Sequence, residues 1–323
     1  MGRLYSAFFL DPVGSSRLVR QELGVNMRKT GLTAIMGAGA FALALSGQAL
    51  AADMPVKAAP AATPDWDIAF GGAVMSDYIF RGITQSNHGA EGTAYFEPHY
   101  KDFYIGVAGT GIDWPSGGSY ALNAPSAEVD LYGGWRPTVG KWSFDLGYIY
   151  YLYPNSVSAI PNGGYTSDFG EFYGKATYAF TDAFSMGGSI YYSPNLLNYH
   201  GSSEYYEVNA KYVLASSYFA KDWGAYVSGA WGYFNVEKGT QPTVNGVLAA
   251  FPIPSYSTWN AGLALTYKVF TLDLRYSDTD LGSTAGPRSC AAFWNGGTST
   301  LGWCRAAFTA KLGFDLLANT NLK

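Results

Sequence analysis

Residues 127–137 read "AEVDLYGGWRP", and they alternate without a break. Glu128, Asp130, Tyr132, Gly134 and Arg136 share one parity, and Val129, Leu131, Gly133, Trp135 and Pro137 share the other. Successive side chains of a strand point to opposite faces, so this stretch has one charged face and one apolar face. The same split recurs in "KWSFDLGYIYYLY", where Trp142, Phe144, Leu146, Tyr148, Tyr150 and Leu152 oppose Lys141, Ser143, Asp145 and Gly147. In "EFYGKATYAF", Glu171, Tyr173, Lys175 and Thr177 oppose Phe172, Gly174, Ala176, Tyr178 and Phe180. A soluble lipocalin-like barrel or sandwich would turn its polar face outward to water. Here the outward faces are Trp, Leu, Tyr and Phe, which places the charges inside.

Composition narrows the choice further. Charged residues make up 14% of the chain, against roughly 25% in soluble domains, while aromatics reach 17%. Beyond residue 51 no apolar run is long enough for a membrane helix, and the other structure that satisfies every backbone group in lipid is a closed β-barrel. Period-two stretches predict about twelve strands, near 66–78, 92–100, 103–114, 126–137, 141–153, 169–181, 184–194, 203–214, 224–236, 255–268, 270–279 and 305–316. Their connections alternate in length. Tight turns at 101–102, 138–140, 181–183 and 269, and a looser one at 215–223, interleave with long Gly, Pro, Ser and Asn segments at 79–91, 115–125, 154–168, 195–202, 237–254 and 280–304. Short periplasmic turns and long outer loops give a transmembrane antiparallel up-and-down barrel this asymmetry. Trp114, Trp142, Trp223, Trp231 and Trp259 fall near predicted strand ends, where aromatic girdles sit at membrane interfaces.

The N-terminal part has its own logic. After Met27 come Arg28 and Lys29, an apolar run from about Gly31 to Leu45, and Ala49-Leu50-Ala51, the layout of a signal peptide cleaved after Ala51. Residues 1–26 are expected to be an upstream start extension, 27–51 the signal peptide, 52–65 a flexible periplasmic leader, and 66–323 the barrel. Removing residues 1–51 leaves 15 basic residues of 20 against 22 acidic of 24, a balance with no electrostatic footprint for nucleic acid.

"SDYIFRGITQS" (76–86), "FYIGVAGTGIDW" (103–114), "AEVDLYGGWRP" and "FDLGYIYYLYP" (144–154) together resemble the TorF-type family of outer-membrane porins, bacterial proteins otherwise described as uncharacterised. The resemblance covers essentially the whole mature chain, and "ADMPVKA" (52–58) is similar to mature starts among alphaproteobacterial outer-membrane proteins. It implies a β-barrel porin and specifies no substrate. The chain ends "KLGFDLLANTNLK", without the terminal aromatic common in such barrels, so Phe314 and Leu316 are expected to serve within the last strand.

The charges that cannot face lipid are expected to line the lumen: Glu97, Glu128, Asp130, Arg136, Lys141, Asp145, Glu171, Lys175, Glu207, Lys211, Lys268, Asp273, Arg275, Lys311 and Asp315. Acidic residues lead in this set, which predicts a weak preference for cations. Arg81 follows Tyr78 and Phe80 at the end of the first strand and is placed at the outer rim, as a snorkelling cation or a constriction charge. Cys290 and Cys304, in an oxidising compartment, are expected to form a disulfide that cinches the last outer loop. His88, His99 and His200 are scattered, and no serine or cysteine stands beside them in a nucleophile motif, so neither catalysis nor a metal site is expected, and no cofactor. The expected partners are outer-membrane lipid, the barrel assembly machinery and small hydrophilic solutes. A closed barrel with paired lumen charges is the alternative to a conducting one.

Overall fold

The computed structural model describes residues 65–114, 124–156, 166–198, 200–237, 239–242, 248–251, 253–283, 285–294 and 302–321. The start extension, the signal peptide and all but the last residue of the leader lie outside the described residues.

Twelve long strands form the wall: β1 (Trp66–Met75), β2 (Glu91–Tyr100), β3 (Phe103–Gly111), β4 (Ala127–Trp135), β5 (Trp142–Leu152), β6 (Phe169–Ala179), β7 (Phe184–Ser193), β8 (Ser203–Val213), β9 (Trp223–Val236), β10 (Tyr256–Tyr267), β11 (Phe270–Thr279) and β12 (Ala307–Leu317). Each pairs antiparallel with its sequence neighbours, and β1 pairs with β12 from Ala69↔Leu317 to Met75↔Lys311, so the sheet closes on itself. Closure leaves no unpaired edge, which is what lets a sheet cross lipid. A short extra strand, Thr138–Val139, lies against the start of β5. After β12 the chain turns into Ala318–Asn321, where Asn319 donates through its backbone N–H to Asp67 Oδ1 (2.9 Å) and through Nδ2 to the Trp66 carbonyl (3.0 Å), fastening the chain end to the start of β1.

The outward face is an apolar belt. Val74, Phe96, Ile105, Val107, Leu131, Leu146, Val208, Leu263, Leu274 and Leu312 all stand exposed around the wall. Soluble monomers rarely expose contiguous apolar patches beyond a few hundred Å², so a belt running around the circumference marks a surface made for lipid. Aromatic pairs border it. At the short-turn end Phe103 stacks near Trp135 (6.3 Å between ring centres), while Trp142 meets Tyr178 (4.9 Å) and Trp223 meets Tyr267 (4.9 Å) at a tilt. Toward the long-loop end Tyr148 meets Phe172 (4.9 Å), Tyr276 meets Phe308 (5.0 Å), and Trp231 sits in register with Trp259. No helix among the described residues is long and apolar enough to cross a membrane.

The inward face explains the composition of the opening stretch. Tyr132 lies over Gly106 of the neighbouring strand, and Tyr104 over Gly134, so that a Cβ at either glycine would fall into the facing ring. Glycine thus alternates with tyrosine because one makes room for the other.

Candidate functional site

The polar segment that follows β1 does not extend outward. Residues 81–86 are all buried, because the β1–β2 connection folds into the mouth of the barrel. Asp77 organises its base by accepting from Thr84 Oγ1 (2.5 Å) and Ser86 Oγ (3.1 Å), and its other oxygen meets His88 Nδ1 (2.7 Å). Next, Tyr78 donates to Glu128 Oε1 (2.7 Å), while Tyr153 donates to Glu128 Oε2 (2.8 Å). A hairpin, Ile79–Phe80 against Ile83–Thr84, then carries Arg81 and Gly82 at its tip. Both tip residues have positive φ, 48° and 81°, the geometry that a two-residue hairpin turn needs. Gly82 is required there twice over, since a Cβ would also fall on Thr258 Oγ1 and Thr279 Cγ2 of the wall.

Arg81 is the centre of the arrangement. Its guanidinium forms a two-pronged pair with Glu171 (Nη1–Oε1 2.9 Å, Nη2–Oε2 2.8 Å), and the two side chains are 1% and 0% exposed. Tyr151 donates to the same carboxylate (3.1 Å), and Tyr256 donates to the Arg81 carbonyl (3.0 Å). Four rings surround Cζ: Tyr205 at 4.5 Å, Phe80 at 4.7 Å, Phe234 at 4.9 Å and Tyr191 at 5.3 Å. Ring faces carry negative charge density and attract a cation, most strongly where water is excluded. The wall rings form a row, because Tyr173↔Tyr191, Tyr191↔Tyr205, Tyr205↔Phe234 and Phe234↔Tyr256 are successive cross-strand partners from β6 to β10.

A second network lies toward the short-turn end. Arg136 pairs with Glu97 (2.6 Å) and lies 3.5 Å from Asp145, which also meets Lys175 (3.4 Å) and accepts from Tyr104 (2.5 Å). On the opposite wall Arg275 reaches Asp273 (2.8 Å), Asn260 (2.6 Å) and Ser228 (2.9 Å). Tyr95 donates to Asp315 (2.9 Å), Tyr205 to Glu207 (2.9 Å), and Lys211 lies 3.9 Å from the Tyr226 ring centre. Asp130 is buried beside Glu128, and its Oδ1 has no hydrogen-bond partner.

Most of the charges expected inside are brought to the inward face, Lys311 included. Three charged residues and one tryptophan are not where the sequence placed them. Lys141 and Lys268 are exposed in short turns, Lys141 donating to the Phe180 carbonyl (3.1 Å) and Lys268 lying over the Tyr267 ring. Arg81 points into the barrel and not out at the rim, because its carboxylate partner and three of the four rings around it lie on the inner wall. Trp114, expected in a girdle, is buried and donates to Gln85 of the inserted loop (2.8 Å). Cys290 and Cys304 are joined in a disulfide. His88 forms a carboxylate–histidine pair with Asp77, but its Nε2 meets the Gly302 carbonyl (2.9 Å) rather than a hydroxyl that it could activate.

Residues 58–299 match the profile of a family described as "Bacterial protein of unknown function (Gcw_chp)". The chain belongs to the Gcw_chp family. No curated protein matches it. Among solved structures, this Gcw_chp barrel is similar to the NanC porin, with 10% identity over 77% of this chain and 100% of that one and a TM-score of 0.42. LpxR from Salmonella typhimurium gives 10% identity, 76% and 99% coverage and a TM-score of 0.42. The Pseudomonas putida toluene transporter TodX gives 10%, 79% and 89%, with 0.38. At this level of similarity these structures bear on no residue or activity of the Gcw_chp chain.

Proposed function

We propose that this protein is a TorF-type porin-like channel in the outer membrane of a Gram-negative bacterium, exported through the signal peptide at 27–51 and passing small hydrophilic solutes by diffusion. The observation that carries this reading is the inward face, where titratable and hydroxyl side chains run from Glu128 and Glu171 near the long loops to Glu97, Asp145 and Asp315 near the short turns. Such a lining is the polar interior of an outer-membrane barrel, which in porins holds water. Acidic residues outnumber basic ones on the inward face, which favours cations over anions. Swelling of liposomes loaded with the folded protein, in sugars and amino acids of graded size, tests the reading. Uptake with a size cut-off is expected, and impermeability to every solute would contradict it.

A second reading rests on the Arg81–Glu171 pair, which ties the inserted hairpin to the inner wall. On that reading the barrel is a structural or surface-interaction protein, and removing the pair would open no path. In both readings the lipid belt and the assembly machinery are the obligatory partners.

A further inference from the structure

The groups around Arg81 divide into two sets. Phe80 belongs to the inserted loop and would leave with it. Glu171, Tyr151, Tyr191, Tyr205, Phe234 and Tyr256 belong to six consecutive strands of the closed wall, β5 to β10, and would stay. What stays is a carboxylate that accepts two parallel N–H bonds, three rings within 5.3 Å of one point, and tyrosine hydroxyls beside them. A carboxylate matched to a planar fork and walled by aromatic faces is the chemistry that selects a guanidinium or an alkylammonium ion. A plug held only by packing would need none of it, because apolar side chains fill such a space at least as stably as a buried ion pair.

The geometry points to a binding site for small organic cations on the inner wall at Glu171, Tyr191, Tyr205 and Phe234, which Arg81 occupies as a tethered stand-in for the diffusing ligand. This rests on the channel reading for its consequence, since the incoming cation would displace the loop and enter the path that the loop obstructs. The hairpin is a separate element: it forms a two-stranded sheet of its own and shares no strand ladder with the wall. The binding claim itself needs no conductance.

The test is calorimetric titration of the folded, detergent-solubilised barrel with N-methylguanidinium chloride and with tetramethylammonium chloride, using potassium chloride at equal ionic strength as the control. The variants are Arg81→Ala, Arg81→Lys and the double change Arg81→Ala with Glu171→Gln, each checked for folding by its heat-dependent electrophoretic shift. Saturable binding of the organic cations to Arg81→Ala is expected, at least about tenfold tighter than to the wild type, where the stand-in competes, or to the double variant. Equal affinity in all forms, or preference for a neutral saccharide over the cations, would overturn the proposal. Failure of both single variants to fold would overturn it too, because a side chain without which the barrel cannot form is not one that a ligand displaces. Binding without solute uptake would instead refute the channel and leave the site standing.

Discussion

Arg81 and Glu171 are 90 residues apart in sequence and meet inside the barrel as a buried pair. Two charges withdrawn from water each lose several kcal/mol of hydration, which the pair recovers only while both partners are present. Glu171→Leu alone therefore leaves an uncompensated guanidinium and is expected to destabilise the barrel by about 3–5 kcal/mol, whereas Glu171→Leu combined with Arg81→Met should be close to neutral. Urea unfolding in lipid vesicles, followed by tryptophan fluorescence, measures both. Equal losses in the single and double variants would mean that water reaches the pair and screens it. At this scale the sequence carried a signal, a cation beside a glycine where an apolar run ends, but not its partner. Two-residue strands leave no periodicity to read, and the contacts that draw the hairpin inward come from Glu171 and from Tyr256, 175 positions away. Lys141 and Lys268 went astray for a local reason. Both lie in turns beyond the paired residues, where positive φ, at Gly140 and at Lys268 itself, breaks the parity.

The strands themselves were largely legible, because a barrel wall in lipid imposes period two on every element and a long-short rhythm on the connections. β4 came out with the parity read from "AEVDLYGGWRP": Glu128, Asp130 and Tyr132 inside, Leu131 and Trp135 outside. That parity has an energetic consequence. Leu131→Arg puts a charge on the lipid face near mid-strand and should cost about 2–4 kcal/mol in the same vesicle assay, whereas a shift near zero would mean that the face is not in lipid. The last long connection is held by Cys290–Cys304, 14 positions apart, and Thr279 donates to the Cys304 carbonyl (3.1 Å). By the chain-entropy model such a crosslink is worth roughly 3 kcal/mol, confined here to a loop outside the wall. Reduction should therefore speed proteolysis between residues 281 and 306 while leaving the twelve strands protected. Cleavage within the strands after reduction would place the disulfide in the stability of the barrel instead.

For the molecule as a whole, two layers of paired charge line the lumen, one fixed to the wall and one carried by a loop. The wall layer of Glu97, Arg136, Asp145 and Lys175 lies along β2 to β6, which are neighbours in the one closed sheet. The loop layer belongs to a hairpin that shares no strand ladder with the wall, so it is the layer whose removal leaves the wall sheet intact. Single-channel recording of the wild-type and Arg81→Ala barrels side by side in planar bilayers tests this most directly. The account predicts discrete steps for Arg81→Ala that are larger or more frequent than those of the wild type, with reversal potentials in a salt gradient that favour cations. Silence from both proteins, when both are folded and inserted, or identical conductance in the two, would contradict it.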